Sequence, residues 1–381
     1  MASLINRFTR AKRVVVKIGS ALLVDSSTGR LRHAWLSALS EDIAKMRARG
    51  QEVLIVSSGS IAMGRHVLGL KSGPLRLEES QAAAAVGQIQ LAHAYQEILA
   101  VHDIRVAQIL LTPGDTEERR RYLNARSTVS TLLALGALPV VNENDTVATS
   151  EIRYGDNDRL AARVAQMISA DCLILLSDID GLYTADPKAN PDARFIREVT
   201  TLNADIFGMA SKTKTDVGRG GMETKLKAAE IAMAAGCNMF ITSGTVMRPL
   251  TSMENGANFT CFIAHDTPRS ARKKWIAAGL TSSGRLTIDA GAEKALRSGK
   301  SLLPAGVMKV EGDFQRGDLV TVVNSAASEL GRGLVAYSSE DAARIIGHKS
   351  GEIAEILGYS GRDEMIHRDE LALNQREKIG S

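Results

Sequence analysis

The chain has only three cysteines in 381 residues: Cys172, Cys237 and Cys261. They are widely spaced and form no CxxC pair, so neither a zinc site nor a disulfide framework is indicated. Each reads as a small, buried, apolar residue. No apolar stretch reaches membrane-spanning length. The apolar run at residues 14–16 follows a polar, basic start and is too short for the core of a signal peptide. A reducing cytoplasm is the expected setting. Excess charge of one sign is also missing. The formal net charge is +4, with 44% hydrophobic and 24% charged residues. That is ordinary globular composition, and too weak a charge to indicate nucleic acid by itself.

Two common nucleotide-binding patterns are absent as well. There is no GxxxxGK[ST], which excludes a P-loop, and no GxGxxG after a strand, which leaves a dinucleotide fold little support. His367-Arg368-Asp369 echoes a protein-kinase catalytic loop but stands near the end without the other kinase elements, so it is a chance match. Arg316-Gly317-Asp318 reads as a β-turn.

What is present is regular alternation. The length makes two domains the default. Short apolar, β-branched runs at 14–18, 53–56, 106–111, 138–142, 172–177 and 239–242 read as strands. Helical patterns fall between them at 34–49, 78–101, 122–135, 158–169 and 224–235. The predicted fold class is α/β, an open and mainly parallel sheet sandwiched by helices. Residues 1–265 form this domain, 266–283 a polar, basic linker, 284–370 a small, mostly β module, and 371–381 a tail. Within the module, strands are expected at 285–289, 306–310, 318–324 and 334–337. Arg269, Arg272, Lys273 and Lys274 in the linker read either as a solvated connector or as a nucleic-acid patch.

Polar residues gather after the strands: Gly19-Ser20, Ser57-Ser58-Gly59, Asn142-Glu143-Asn144-Asp145 and Ser177-Asp178. Ligands of open α/β sheets bind outside the carboxyl ends of the strands, so one edge should collect these turns. Lys17 stands at the first such turn. Lys225 closes the glycine-rich run Gly218-Arg219-Gly220-Gly221-Met222-Glu223-Thr224-Lys225. Such turns let backbone N–H groups approach a phosphate, and a lysine adds a point charge. Gly155-Asp156-Asn157-Asp158 precedes a helix, where Asn157 or Asp158 can cap it and still meet a ligand. Tyr183 in the loop after Asp180 can stack on a base or simply pack.

Val15-Val16-Lys17-Ile18-Gly19-Ser20, Val56-Ser57-Ser58-Gly59-Ser60-Ile61, Ser177-Asp178-Ile179-Asp180-Gly181-Leu182-Tyr183 and Gly220-Gly221-Met222-Glu223-Thr224-Lys225 resemble the amino-acid kinase family. Leu123-Asn124-Ala125-Arg126, Val141-Asn142-Glu143-Asn144-Asp145 and Gly155-Asp156-Asn157-Asp158 resemble the branch that phosphorylates glutamate. The C-terminal module is similar to a PUA domain on Ser301-Leu302-Leu303-Pro304-Ala305-Gly306, Ile346-Gly347-His348 and Ile356-Leu357-Gly358-Tyr359. The resemblance spans about 13–369.

It implies ATP-dependent, Mg²⁺-assisted transfer to the glutamate side-chain carboxylate, the first step of proline biosynthesis, with proline as feedback inhibitor. By the resemblance, Lys17 and Lys225 neutralise phosphate charge and Asp158 orients them. Ser58, Asp145 and Asn157 hold glutamate. Lys17, Ser177, Asp178 and the run Arg219, Gly220, Gly221, Met222, Glu223, Thr224, Lys225 contact ATP; no metal ligand is assigned. Serine at 177 stands where relatives often carry threonine, and Ser60 where alanine is common. The resemblance also implies a homo-oligomer, dimer or tetramer, and hand-over of a labile product to the next enzyme. The polar stretch at 112–121 is expected to be a loop with a part in regulation. PUA modules elsewhere bind RNA, but 284–359 offers Phe314, Tyr337 and Tyr359 without a dense basic stripe, so a regulatory or structural role is favoured. An N-acetylglutamate or nucleotide acceptor is the other reading within the family. Asp145 either favours an amino acid, because its charge complements an α-ammonium, or accepts backbone bonds.

Overall fold

The computed structural model describes residues 2–25, 27–71, 73–147, 157–211, 221–278 and 281–374. The chain divides into two compact units, Met1–Pro268 and Arg269–Ser381.

The first unit is built on an eight-stranded sheet. Its strands are β1 (Arg13–Ile18), β2 (Glu52–Ser57), β3 (Val106–Leu111), β4 (Leu138–Glu143), β5 (Cys172–Ser177), β8 (Glu198–Val199), β9 (Asn238–Ser243) and β10 (Phe259–Phe262). A separate ribbon pairs β6 (Leu182–Tyr183) with β7 (Phe195–Ile196). The sheet order is β3-β4-β2-β1-β5-β9-β10-β8, parallel throughout except between β9 and β10. On one side of β1 the chain adds β2, passes to β3 at the edge and returns to place β4 between them. On the other side it moves through β5 and β9. The crevice at the carboxyl ends of β1, β2 and β5 is therefore where such a sheet binds ligands.

Helices cover both faces. They are α1 (Ala2–Thr9), α2 (Ser20–Leu23), α3 (His33–Ala48), α4 (Ser60–Val67), α5 (Leu77–Ala100), α6 (Pro113–Glu117), α7 (Arg119–Ala134), α8 (Asn157–Met167), α9 (Ala204–Ser211), α10 (Met222–Ala234) and α11 (Pro249–Glu254). Successive strand side chains point to opposite faces. Val14, Val16 and Ile18 of β1 join Trp35, Leu39, Tyr95 and Leu250 in one core. Val15 joins Val129, Leu160, Val164, Leu226 and Ala229 in the other. That alternation turns the Lys17 side chain toward α8 and α10.

α4 and α5 cross at unusually close range. A Cβ on Gly64 would lie 1.8 Å from the Ala83 carbonyl oxygen, and one on Gly87 would lie 1.8 Å from that of Ser60. Only glycine at both positions lets the two backbones meet. α4 begins after Gly59, whose φ of +108° is a left-handed turn that glycine adopts without strain.

The second unit starts with α12 (Pro268–Ala277) and folds into a five-stranded sheet: β11 (Gly284–Ile288), β12 (Val307–Gly312), β13 (Leu319–Val323), β14 (Glu329–Leu334) and β15 (Leu371–Leu373). The order is β12-β11-β13-β14-β15, with β11 and β13 parallel and the rest antiparallel. α13 (Ala290–Arg297), α14 (Ser339–Ile345) and α15 (Ile353–Leu357) complete it. Its own core gathers Leu286, Val320, Phe314, Ile345 and Met365.

Four expectations need correction. The linker at 266–283 contains helix α12, which buries Ala271 and Ile276 and ties Arg272 to Glu370 at 2.5 Å. Its polar surface hid an amphipathic helix. The tail begins with an edge strand, β15, paired to β14; residues 375–381 lie outside the described residues. The expected strand at 334–337 sits earlier, at β14, whose Gly331 and Gly333 read like turn residues. The loop at 112–121 is helical instead: Pro113 opens α6 under a capping box, in which Thr112 N donates to Asp115 Oδ2 at 2.7 Å, and α7 follows.

Candidate active site

Three charged side chains converge where β1, α8 and α10 meet. Lys17 Nζ lies 2.5 Å from Asp158 Oδ1, and Lys225 Nζ lies 3.1 Å from Asp158 Oδ2. Asp158 is fully buried, and the lysines are 8% and 7% exposed. Burial penalises the Asp158 charge, but the Lys17 and Lys225 ammonium groups outweigh it and hold the carboxyl below its usual range. Asp158 also sits in the first turn of α8, where the helix dipole favours an anion. Lys225 sits in the first turn of α10, where the dipole opposes a cation, and Asp158 compensates for that as well. These three groups place two cations and one anion at two helix N-termini, an arrangement suited to phosphate oxygens.

Beside it lies a polar network, buried at Ser57, Ser60, Gln88 and Asn142 and partly buried at Ser58, Asp145 and Asn157. Asn157 Nδ2 donates to Ser57 O at 3.0 Å, Ser58 Oγ at 2.7 Å and Asn142 Oδ1 at 3.1 Å. Asn142 Nδ2 donates to Gln88 Oε1 at 2.8 Å and Ser60 Oγ at 3.3 Å. Ser60 Oγ donates to Asp145 Oδ2 at 3.4 Å. Strand alternation explains the meeting: Ser57 and Asn142 end β2 and β4 on the face that α5 covers, so Ser57 meets Tyr95 OH at 2.9 Å and Asn142 meets Gln88. Asn157 and Asp158 are consecutive, so the amide network and the charged cluster share one helix start.

The structure thus brings Lys17, Asp158 and Lys225 into one cluster, and Ser58, Asp145 and Asn157 into the other. Thr224 joins the first, 3.4 Å from Asp158 Oδ2, while donating to Gly221 O at 2.7 Å. Gly221 and Met222 open α10. Glu223 pairs with Lys227 at 2.7 Å on the exposed helix surface. Ser177 Oγ donates to Asp178 Oδ1 at 3.0 Å at the end of β5, next to β1 in the sheet. Arg219, Gly220 and the Gly155-Asp156 part of the second run lie outside the described residues. Sequence reasoning missed Gln88. Its signal was a polar side chain on the alanine-rich inner face of α5, between Ala84, Gly87 and Leu91.

Fold and site together define an open α/β protein with a lysine-lined site at the carboxyl ends of its central strands. Residues 12–243 match the amino acid kinase family and residues 284–357 the PUA domain. The glutamate 5-kinase of Paramagnetospirillum magneticum is 61% identical over 95% of this chain and 98% of its own. That of a Bradyrhizobium species is 58% identical over 98% of this chain and 99% of its own. Among solved structures, carbamate kinase from Giardia lamblia aligns at 17% identity and TM-score 0.48, over 67% of this chain and 99% of its own. That likeness is too remote to bear on chemistry. The chain belongs to the amino acid kinase family and, within it, to the glutamate 5-kinases.

Proposed function

We propose that this enzyme transfers the γ-phosphoryl group of ATP to the side-chain carboxylate of L-glutamate, giving L-glutamyl 5-phosphate. The observation that carries the reading is the Lys17–Asp158–Lys225 cluster abutting the Asn157 network. A charge site for phosphate stands beside a polar site for an amino acid. The accepting carboxylate, with a pKa of about 4.3, is already ionised at neutral pH, so no general base is required. The obstacle is that one anion attacks another. Lys17 and Lys225 lower it by neutralising the transferring group from a water-poor site, and Asp158 holds their ammonium groups in place.

Ser58, Asp145 and Asn157 hold glutamate in this reading. Ser177, Asp178 and the start of α10, with Arg219 and Gly220 before it, receive ATP. Magnesium arrives with the nucleotide and is held largely by phosphate and water, needing only one or two protein oxygens. Exposed Asp178 at the end of β5 fits that need, and the ion would add further charge neutralisation. The same reading makes this the first step of proline biosynthesis. Proline would inhibit at or overlapping the glutamate site, since a pocket for one α-amino acid can admit another. It also includes a cytoplasmic homo-oligomer that hands its labile acyl phosphate onward. No described helix is long and apolar enough to cross a membrane.

The test is ADP release with L-glutamate against L-aspartate, N-acetylglutamate and UMP, each with and without proline. Turnover confined to glutamate and reduced by proline is expected. Turnover with UMP or N-acetylglutamate instead would overturn the assignment.

A further inference from the structure

The polarity of the amide network is fixed from one end. The Ser57 carbonyl can only accept, so the Asn157 atom 3.0 Å from it must be the amide nitrogen. That nitrogen also faces Asn142 at 3.1 Å, so Asn142 must present its oxygen there. The Asn142 nitrogen then donates on its other side, to Gln88 at 2.8 Å and Ser60 at 3.3 Å. Because Ser60 Oγ accepts from Asn142, its single proton is directed at Asp145 Oδ2, 3.4 Å away. Inverting any link would set two acceptors or two donors face to face. Gln88, Asn142 and Ser60 are 9%, 2% and 3% exposed, so water does not compensate for a broken link.

We propose that Ser60 and Gln88 are positioning residues for substrate recognition, the two anchors of a relay that holds Asn142 against Asn157 and steadies Asp145, and so places the atoms those two residues present to the ligand. This rests on the glutamate reading above. Both N–H bonds of Asn157 are engaged by protein acceptors. The group it offers is Oδ1, which accepts no hydrogen bond among the described residues. Asp145 is a carboxylate, whose oxygens can only accept. Both are acceptors, suited to an α-ammonium. Ser58 Oγ accepts from Asn157, so its own proton is available to a carboxylate. Acceptors for an ammonium beside a donor for a carboxylate match the two charged groups on the α-carbon of an amino acid. Gln88 and Ser60 both accept from Asn142 and hold its amide in the orientation that Asn157 requires, and Ser60 links it to Asp145.

The experiment compares the full chain with its Ser60→Ala and Gln88→Leu variants, using L-glutamate and glutarate. Glutarate keeps both carboxylates and lacks the amino group; it is measured by turnover or as a competitive inhibitor. The Ser60 contacts are long, so a modest effect is expected. KM for glutamate should rise roughly three- to tenfold in each variant, and kcat should fall much less. The preference for glutamate over glutarate should fall by the same factor. The double variant should lose less than the product of the single losses, since both act through Asn142. An unchanged glutamate KM in both variants would overturn the relay. So would equal losses on glutamate and glutarate, which indicate general damage to the pocket. If the unaltered chain does not phosphorylate glutamate at all, the underlying reading falls, and the relay with it.

Discussion

Asp158 holds two lysines with one carboxylate, and its removal separates structural from chemical roles. Asp158→Asn keeps the shape but removes a carboxylate shared by two nearly buried ammonium groups. Breaking such a buried pair costs about 3–5 kcal/mol. Chemical denaturation at neutral pH should show a loss of that order. The Asp158 carboxyl is held below its ordinary range in the folded chain. Its contribution to stability is therefore complete above about pH 4 and is lost as pH falls through the lower folded value. Asp158→Asn should flatten that part of the acid limb. An unchanged acid limb would show that the carboxylate is not engaged as the geometry indicates. Lys17→Ala and Lys225→Ala should instead act mainly on the transfer step, lowering kcat by roughly a hundredfold or more. Preserved kcat in either would remove that lysine from the chemistry. At this scale much was legible in the sequence. Lys17, Ser58, Asp145, Asn157, Asp158 and Lys225 each stand at a strand end or helix start. Gln88 was not, because its role depends on which face of α5 meets Asn142, and that is a tertiary fact.

The α4–α5 crossing governs the pocket at the next scale. α4 starts at Ser60 and α5 carries Gln88, so the contact of Gly64 with Ala83, and of Gly87 with Ser60, sets the spacing between the two anchors. Gly64→Ala would drive a methyl group into the Ala83 carbonyl. Forced overpacking of this kind costs about 1–3 kcal/mol, occasionally more. Urea unfolding should show the loss, and KM for glutamate should rise with it as Ser60 and Gln88 move apart. Full stability in that variant would mean the helices can shift without consequence. Element boundaries show the same division between local and tertiary information. β3 and β5 lie where their apolar runs predict, at Val106–Leu111 and Cys172–Ser177. α4 was not foreseen, since eight residues containing Gly64 and bordered by Gly59 look like a loop. α12 looked like a connector because its polar residues dominate the composition and its only buried apolar residues are Ala271 and Ile276.

For the molecule as a whole, the continuous apolar strands made the parallel sheet legible, while the antiparallel turn at β10 and the added edge strand β8 were not. The direction of β10 and the pairing of the two-residue β8 have no local signal, because each is fixed by its neighbours in the sheet. That sheet also decides the chemistry of the three cysteines. Cys172 lies on β5, Cys237 just before β9 and Cys261 on β10, three neighbouring strands. All three are buried. Burial pushes the thiols of Cys172 and Cys237 well up, and that of Cys261 up to about 12. The reactive thiolate is therefore scarce at pH 8, and reagent has no access to the folded sheet. Modification should require opening of the first unit rather than local fraying. Treated with iodoacetamide at pH 8 and followed by intact mass, the native chain should stay unmodified while the sheet is folded. Under denaturant all three adducts should appear together, at a rate that follows unfolding. One cysteine modified quickly in the native chain would show that its strand separates from the sheet on its own.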